Sequence, residues 1–222
     1  MRLLLNSSSN VHGYGFLDHV EPFLRDFLGG AARVVAFVPF AAFDHDAYVA
    51  KVRDRLAKME LDVVTLDELD RADALFVGGG NTFRLLQKLQ DGNLIEPIRE
   101  RVRAGLPYIG SSAGSMISCP TIRTTNDMPI VQPRSFDALG FIPFQLNCHY
   151  LDVDPTSTHK GETREERIRE FHEENDALVL GLREGTMLRV EDGTITLQGE
   201  KPARIFRRGQ QPVEMPPGRL AL

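Results

Sequence analysis

Pro107-Tyr108-Ile109-Gly110-Ser111-Ser112-Ala113-Gly114-Ser115-Met116-Ile117 opens as a short apolar run after a helix-ending Gly-Leu-Pro and passes at once into a turn of small residues. Such a stretch reads as a buried strand feeding a strand-turn-helix junction, and Gly110, Ser112 and Gly114 fit the serine motif G-x-S-x-G. Glycines on both sides permit a turn so tight that the central side chain is held above the sheet, with room for a substrate carbonyl beside it. Ser112 is that central residue. Five residues alone also describe a turn whose small side chains only let a helix pack close to a strand, so the motif needs partners elsewhere in the chain.

Upstream, strand-like and helix-like patterns alternate. Residues 2–5 read as an apolar strand, 14–28 as an amphipathic helix stopped by Gly29-Gly30, and 33–38 as a β-branched strand closed by Pro39. Helical spacing over 44–58 leads to a short strand at 62–65. Residues 74–77 end in Gly78-Gly79-Gly80-Asn81-Thr82, a second strand-to-helix glycine turn, after which Phe83, Leu85, Leu86 and Leu89 trace one helical face. A helix over 94–104 then leads into the serine turn. Strands joined in this way imply a doubly wound, mostly parallel sheet flanked by helices, a flavodoxin-like α/β fold, because parallel neighbours need crossover helices. Both glycine turns then fall at carboxyl ends of strands, the edge where open α/β sheets place their sites.

The second half is less regular. Residues 119–137 include Pro120, Pro129 and Pro133 and read as a long loop, a feature that in compact domains commonly carries function. Residues 144–148 read as a strand delivering His149, and Thr163 with Glu166 forms a capping box that starts a helix. A strand over 178–182 ends at Arg183-Glu184-Gly185. Residues 187–191 and 194–197 pair around Asp192-Gly193 as a type I′ hairpin, and these antiparallel strands are expected to cover the end of the sheet. With no internal repeat and no linker, residues 1–222 read as one domain.

A net charge of −5 provides no basic field for nucleic acid or an anionic membrane. No apolar run approaches the length of a membrane span, and the first residues turn polar too soon for a signal peptide, so a cytoplasmic protein is expected. The two cysteines, Cys119 and Cys148, form no C-x-x-C pair, and the six histidines form no metal-binding motif. Neither a metal nor a cofactor is expected.

If Ser112 attacks carbonyls it needs a neighbouring base, usually a histidine oriented by a carboxylate. His149 follows a strand-like run and reaches the edge of the serine turn if that strand is parallel; His159, in a polar loop, is its main rival. His19 and His172 read as helical and His45 as a helix start. For the acid, Glu184 follows the next strand, while Asp152 and Asp154 lie close to His149 in sequence. The oxyanion needs preorganised N–H donors. Ala113, directly after the serine, supplies one, and Gly79 or Gly80 is the candidate for the other. The order Ser, His, acid differs from that of the α/β-hydrolases, so the turn alone does not assign that fold.

Four blocks together resemble peptidase E, the α-aspartyl dipeptidase family of serine peptidases on a class I glutamine amidotransferase-like fold. They are Phe76-Val77-Gly78-Gly79-Gly80-Asn81-Thr82-Phe83, Tyr108-Ile109-Gly110 with Ser112-Ala113-Gly114, the long run from Cys119 to Val131, and Lys160-Gly161-Glu162-Thr163-Arg164-Glu165. The resemblance spans nearly the whole chain. It implies Ser112 as nucleophile, His149 as base and Glu184 rather than Asp152 or Asp154 as the acid, with cytoplasmic, metal-free cleavage of Asp-X dipeptides. It also suggests a homodimer. Ser111 stands where such enzymes often carry Trp, and Cys148 where a proline is expected.

An aspartyl side chain calls for a cation, best a guanidinium that grips a carboxylate with two hydrogen bonds. Arg164 and Arg123 are the candidates, and Asn81 joins them as a substrate-binding residue. Two other readings remain: an amidase or cyanophycinase-like hydrolase of the same fold, and a non-catalytic small-molecule binding protein.

Overall fold

The computed structural model describes residues 1–156, 158 and 160–222. Its first half runs β1 (Arg2–Asn6), α1 (Glu21–Leu28), β2 (Val34–Val38), α2 (His45–Ala57), β3 (Asp62–Val64), a 3-10 turn, β4 (Ala74–Val77), α3 (Thr82–Asp91), α4 (Ile95–Arg103), β5 (Tyr108–Ser111) and α5 (Ala113–Met116). There follow β6 (Gln145–Cys148), α6 (Arg164–Glu174), β7 (Val179–Leu182), β8 (Met187–Glu191), β9 (Thr194–Gln198), β10 (Ala203–Phe206), β11 (Val213–Met215) and β12 (Gly218–Arg219).

The first five strands lie parallel in the order β3-β2-β4-β5-β1, and β8, β9 and β12 extend the same sheet antiparallel beyond β1. The mostly parallel sheet with flanking helices agrees with the sequence. Alternation along β1 explains its apolar composition: Leu3 and Leu5 enter one core cluster and Leu4 the other, so both faces are covered. Asp44 caps α2 and Asn81 caps α3 through side-chain oxygens, and Thr163 with Glu166 closes the expected capping box at α6.

Three expectations need correction. The strand before His149 is not part of the main sheet. β6 pairs parallel with β7 in a second sheet, ordered β11-β10-β7-β6, whose Leu146, Leu182 and Ile205 share a core cluster with Leu3 and Leu188 of the first. The β8–β9 hairpin does turn at Asp192 and Gly193 with φ of 49° and 76°, as a type I′ turn requires, but it lengthens the sheet alongside β1 instead of covering its end.

The first helix begins at Glu21, not near residue 14, and His19 precedes it. Leu17 takes a positive φ of 60°, its amide bonds to Ser9 O at 2.9 Å, and Arg55 of α2 donates to Phe16 O while pairing with Asp18 and Glu21. These tertiary contacts override the helical periodicity of the segment.

Candidate active site

β5 ends in the serine turn, and Ser112 takes φ 52° and ψ −110°, a conformation that costs an L residue about 1–3 kcal/mol. The turn holds because its neighbours fix it: Asn6 O accepts both Ser112 N–H at 3.0 Å and Ser115 Oγ–H at 2.7 Å. The motif glycines are required by close approach. A Cβ on Gly110 would sit 2.7 Å from Gly114 O, and one on Gly114 only 2.0 Å from Val77 O. Ser111 is buried, with its Oγ 3.4 Å from Asn6 Nδ2.

β6 and β7 bring in the other two groups. Their parallel register matches Cys148 with Leu182, so His149 and Glu184 leave the same edge of the second sheet. Ser7 ties that edge to the first sheet: its Oγ accepts His149 N–H at 3.0 Å and donates to Leu182 O at 2.7 Å. His149 Nε2 then lies 2.9 Å from Ser112 Oγ and Nδ1 lies 2.8 Å from Glu184 Oε1. In the neutral tautomer with Nδ1–H on the carboxylate, the Nε2 lone pair faces the serine hydroxyl. Such an arrangement can draw the proton from the serine and return it to a leaving group.

Ser112 and His149 open onto a cavity of about 410 Å³, also lined by Ser9, Tyr48, Gly79, Gly80 and Asp127. Its size suits a small ligand. Ala113 begins α5, so its amide precedes the helical bonding pattern. A Cβ on Gly79 would lie 3.1 Å from the Ser112 Cβ, yet the Gly79 N–H is already given to Tyr48 Oη at 3.0 Å. Of the two glycine amides expected as donors, the Gly80 amide is the less committed.

The other sequence candidates disperse. Arg164 starts α6, half-buried, beside a second cavity lined by Leu151, Asp154 and Thr163, and among the described residues no carboxylate pairs with it. Burial, then neighbouring Arg167, pulls its pKa down, while Asp127 acts in the opposite direction. Arg123 lies elsewhere, stacked over the Phe136 ring in a groove with Phe83 and Arg167. Asn81 is occupied as the α3 cap and as a donor to Met128 O at 2.9 Å.

Asp152 is gripped by Arg183 at 2.6 and 2.8 Å, and Asp154 accepts from Thr156 N and Oγ1. His159 lies outside the described residues. Both cysteines are buried, with thiol pKa values pushed up by desolvation, that of Cys119 to about 12.

Asp127, like Tyr48 and Lys51, lines the pocket without having been singled out from the sequence. It accepts from Thr82 N at 2.7 Å and Thr82 Oγ1 at 2.6 Å, and Thr125 Oγ1 lies 3.3 Å away, all on Oδ2. The position of Asp127 in a proline-rich loop gives no periodic signal; only the loop's length and its likeness to the family's block flagged the segment. Among the described residues there is no metal-binding cluster and no helix long and apolar enough to cross a membrane.

Residues 3–198 match Peptidase family S51. The chain belongs to that family. It is 56% identical to a peptidase E of Streptomyces coelicolor, over 98% of this chain and 92% of the relative. A probable alpha-aspartyl dipeptidase of Drosophila melanogaster is 47% identical, over 97% and 93% of the two chains. A peptidase E of Salmonella arizonae is 41% identical, over 98% of this chain and 99% of the relative.

The fold of this S51 member superposes on the crystal structure of a putative peptidase E from Listeria monocytogenes with a TM-score of 0.68. There the identity is 24%, over 89% of this chain and 98% of the other. A peptidase from an acI-B1 actinobacterium gives 0.72 at 16% identity, over 100% and 96%. As an S51 peptidase the protein is a hydrolase of the serine type.

Proposed function

We propose that the protein is a dipeptidase that removes an N-terminal aspartate from Asp-X through a Ser112–His149–Glu184 triad and an acyl-enzyme. The observation that carries this reading is one imidazole bridging Ser112 Oγ at 2.9 Å and Glu184 Oε1 at 2.8 Å. Ser112 Oγ attacks the scissile carbonyl as His149 takes its proton. The oxyanion is held by the Ala113 amide with a second donor from the glycine-turn side of the pocket. His149 then protonates the departing amine, and water, deprotonated by the same imidazole, releases aspartate.

Specificity follows from charge. An N-terminal exopeptidase must hold an α-ammonium, and Asp127, with Oδ2 occupied and Oδ1 without a bond among the described residues, lines the pocket with the right sign. Arg164, half-buried and paired with no carboxylate among the described residues, suits the aspartyl side chain and feels the charge of Asp127. The name of the Drosophila relative, a probable alpha-aspartyl dipeptidase, supports the same substrate class. A cysteine-dependent amidase is disfavoured because both thiols are buried and held protonated.

Ser112→Ala should abolish Asp-X hydrolysis while circular dichroism stays that of the wild type. Undiminished turnover by this variant would remove the proposal.

A further inference from the structure

The Gly79 amide, adjacent to the nucleophile, is not turned toward an incoming carbonyl but donates to the Tyr48 hydroxyl at 3.0 Å. Tyr48 projects from the first turn of α2 into the same cavity as Ser112 and His149. Its ring is held edge-on by Phe37, centroids 5.1 Å apart at 89°, and by Phe16 at 6.4 Å and 68°. It also rests on the glycine turn: a Cβ on Gly78 would stand 2.7 Å from Tyr48 Cε1 and from Oη. The phenol is thus located to within a rotation of its proton.

A phenol has one proton to give and lone pairs to receive. In Tyr48 a lone pair is taken by Gly79, which leaves the O–H to point away from the turn. No acceptor for it is present among the described residues, and the open space beside Oη is the Ser112 cavity. Burial pushes the phenol up to about 12, so the proton stays on through the neutral range.

We propose that Tyr48 is a catalytic residue of the acyl-transfer step: its O–H, oriented by the Gly79 amide, donates to the substrate oxygen that becomes the oxyanion, alongside the Ala113 amide. The inference rests on the serine-peptidase reading of Ser112. No bond to Tyr48 forms or breaks; its hydrogen bond tightens as negative charge develops. Gly79 becomes a positioning group that acts through the phenol.

The test is Tyr48→Phe, which keeps the ring and its aromatic neighbours. Two rates are followed in wild type and variant: turnover of Asp-X dipeptides, and labelling of Ser112 by a small serine-directed phosphonate, whose phosphoryl oxygen occupies the oxyanion position without needing an aspartyl group. Loss of one such donor typically costs about a hundred- to a thousandfold in rate. We expect kcat to fall at least tenfold with KM within about twofold, and labelling to slow in parallel.

Gly78→Ala, which displaces the ring without removing the hydroxyl, should show the same kcat-weighted loss. It serves if Tyr48→Phe melts below the assay temperature. Unchanged kcat and labelling, or a loss confined to KM, overturns the role of Tyr48 and leaves the dipeptidase intact. Tyr48-dependent labelling of a wild type that does not cleave Asp-X supports Tyr48 and removes the substrate assignment. Neither cleavage nor labelling in the wild type removes both.

Discussion

Arg164 begins a helix, where a cation meets the positive end of the backbone dipole, and it lacks a compensating carboxylate among the described residues. On the proposed reading, a bound aspartyl side chain would relieve both penalties. Hydrogen bonds to charged groups are worth about 1.5–3 kcal/mol, so Arg164→Ala should lower kcat/KM for Asp-X by roughly ten- to a hundredfold. Cleavage of Asn-X should change far less, and a dipeptide panel on the variant checks this; equal losses on both would take the charge-reading role away from Arg164. At this scale the sequence was most legible where chemistry imposes spacing. Gly110, Ser112 and Gly114 could be read because only small residues fit where the backbone segments touch. Arg123 could not be separated from Arg164, because neither belongs to a periodic core pattern and only tertiary packing puts Arg123 against Phe136.

Between elements, the decisive contact is a single hydroxyl. Ser7, just beyond β1, satisfies the amide of His149 and the carbonyl of Leu182, and so sets the second sheet's edge against the first. Ser7→Ala leaves the His149 amide without its acceptor, while Leu182 O keeps the Tyr150 amide at 3.0 Å; one buried group left unsatisfied costs about 1–3 kcal/mol. We expect a clear fall in melting temperature and a loss of kcat larger than any change in KM, since the imidazole loses its anchor while the pocket walls remain. Normal kcat with lowered stability would show that His149 is held without Ser7. The two-sheet arrangement was hidden in the sequence for a physical reason. Periodicity reveals that 144–148 is a strand but not which strand it pairs with, and the parallel partner β7 lies some thirty residues on, across α6. Likewise residues 14–20 keep helical spacing and are bent out of it by contacts that include Arg55, the Leu17–Ser9 bond and His19 on Ser8 O.

Over the whole molecule, carboxylates held by cations or amides recur. Asp152 and Glu214 are both depressed chiefly by hydrogen bonds from Arg183, Glu21 by Arg55, and Asp73 by the amides of Arg33 and Val34. Because these folded-state values lie below the unfolded ones, the stabilisation is fully present above the ordinary carboxylate range near about 4 and fades as pH falls through the folded values. The melting temperature should therefore be nearly level at neutral pH and decline below about pH 4. Arg183→Gln should lower it most at neutral pH, with the gap to wild type narrowing in acid; a gap independent of pH would show that Arg183 acts through packing alone.

The division of the site between two sheets also has a meaning in time. Every strand that frames the serine turn, β1, β4 and β5, is made before residue 112 is passed, whereas the imidazole and its carboxylate are encoded after it. With synthesis at about 5–20 residues per second, Ser112 is made several seconds before Glu184 completes the set. On the triad reading, the newborn peptidase has a nucleophile without a base, and becomes a hydrolase only when the second sheet docks.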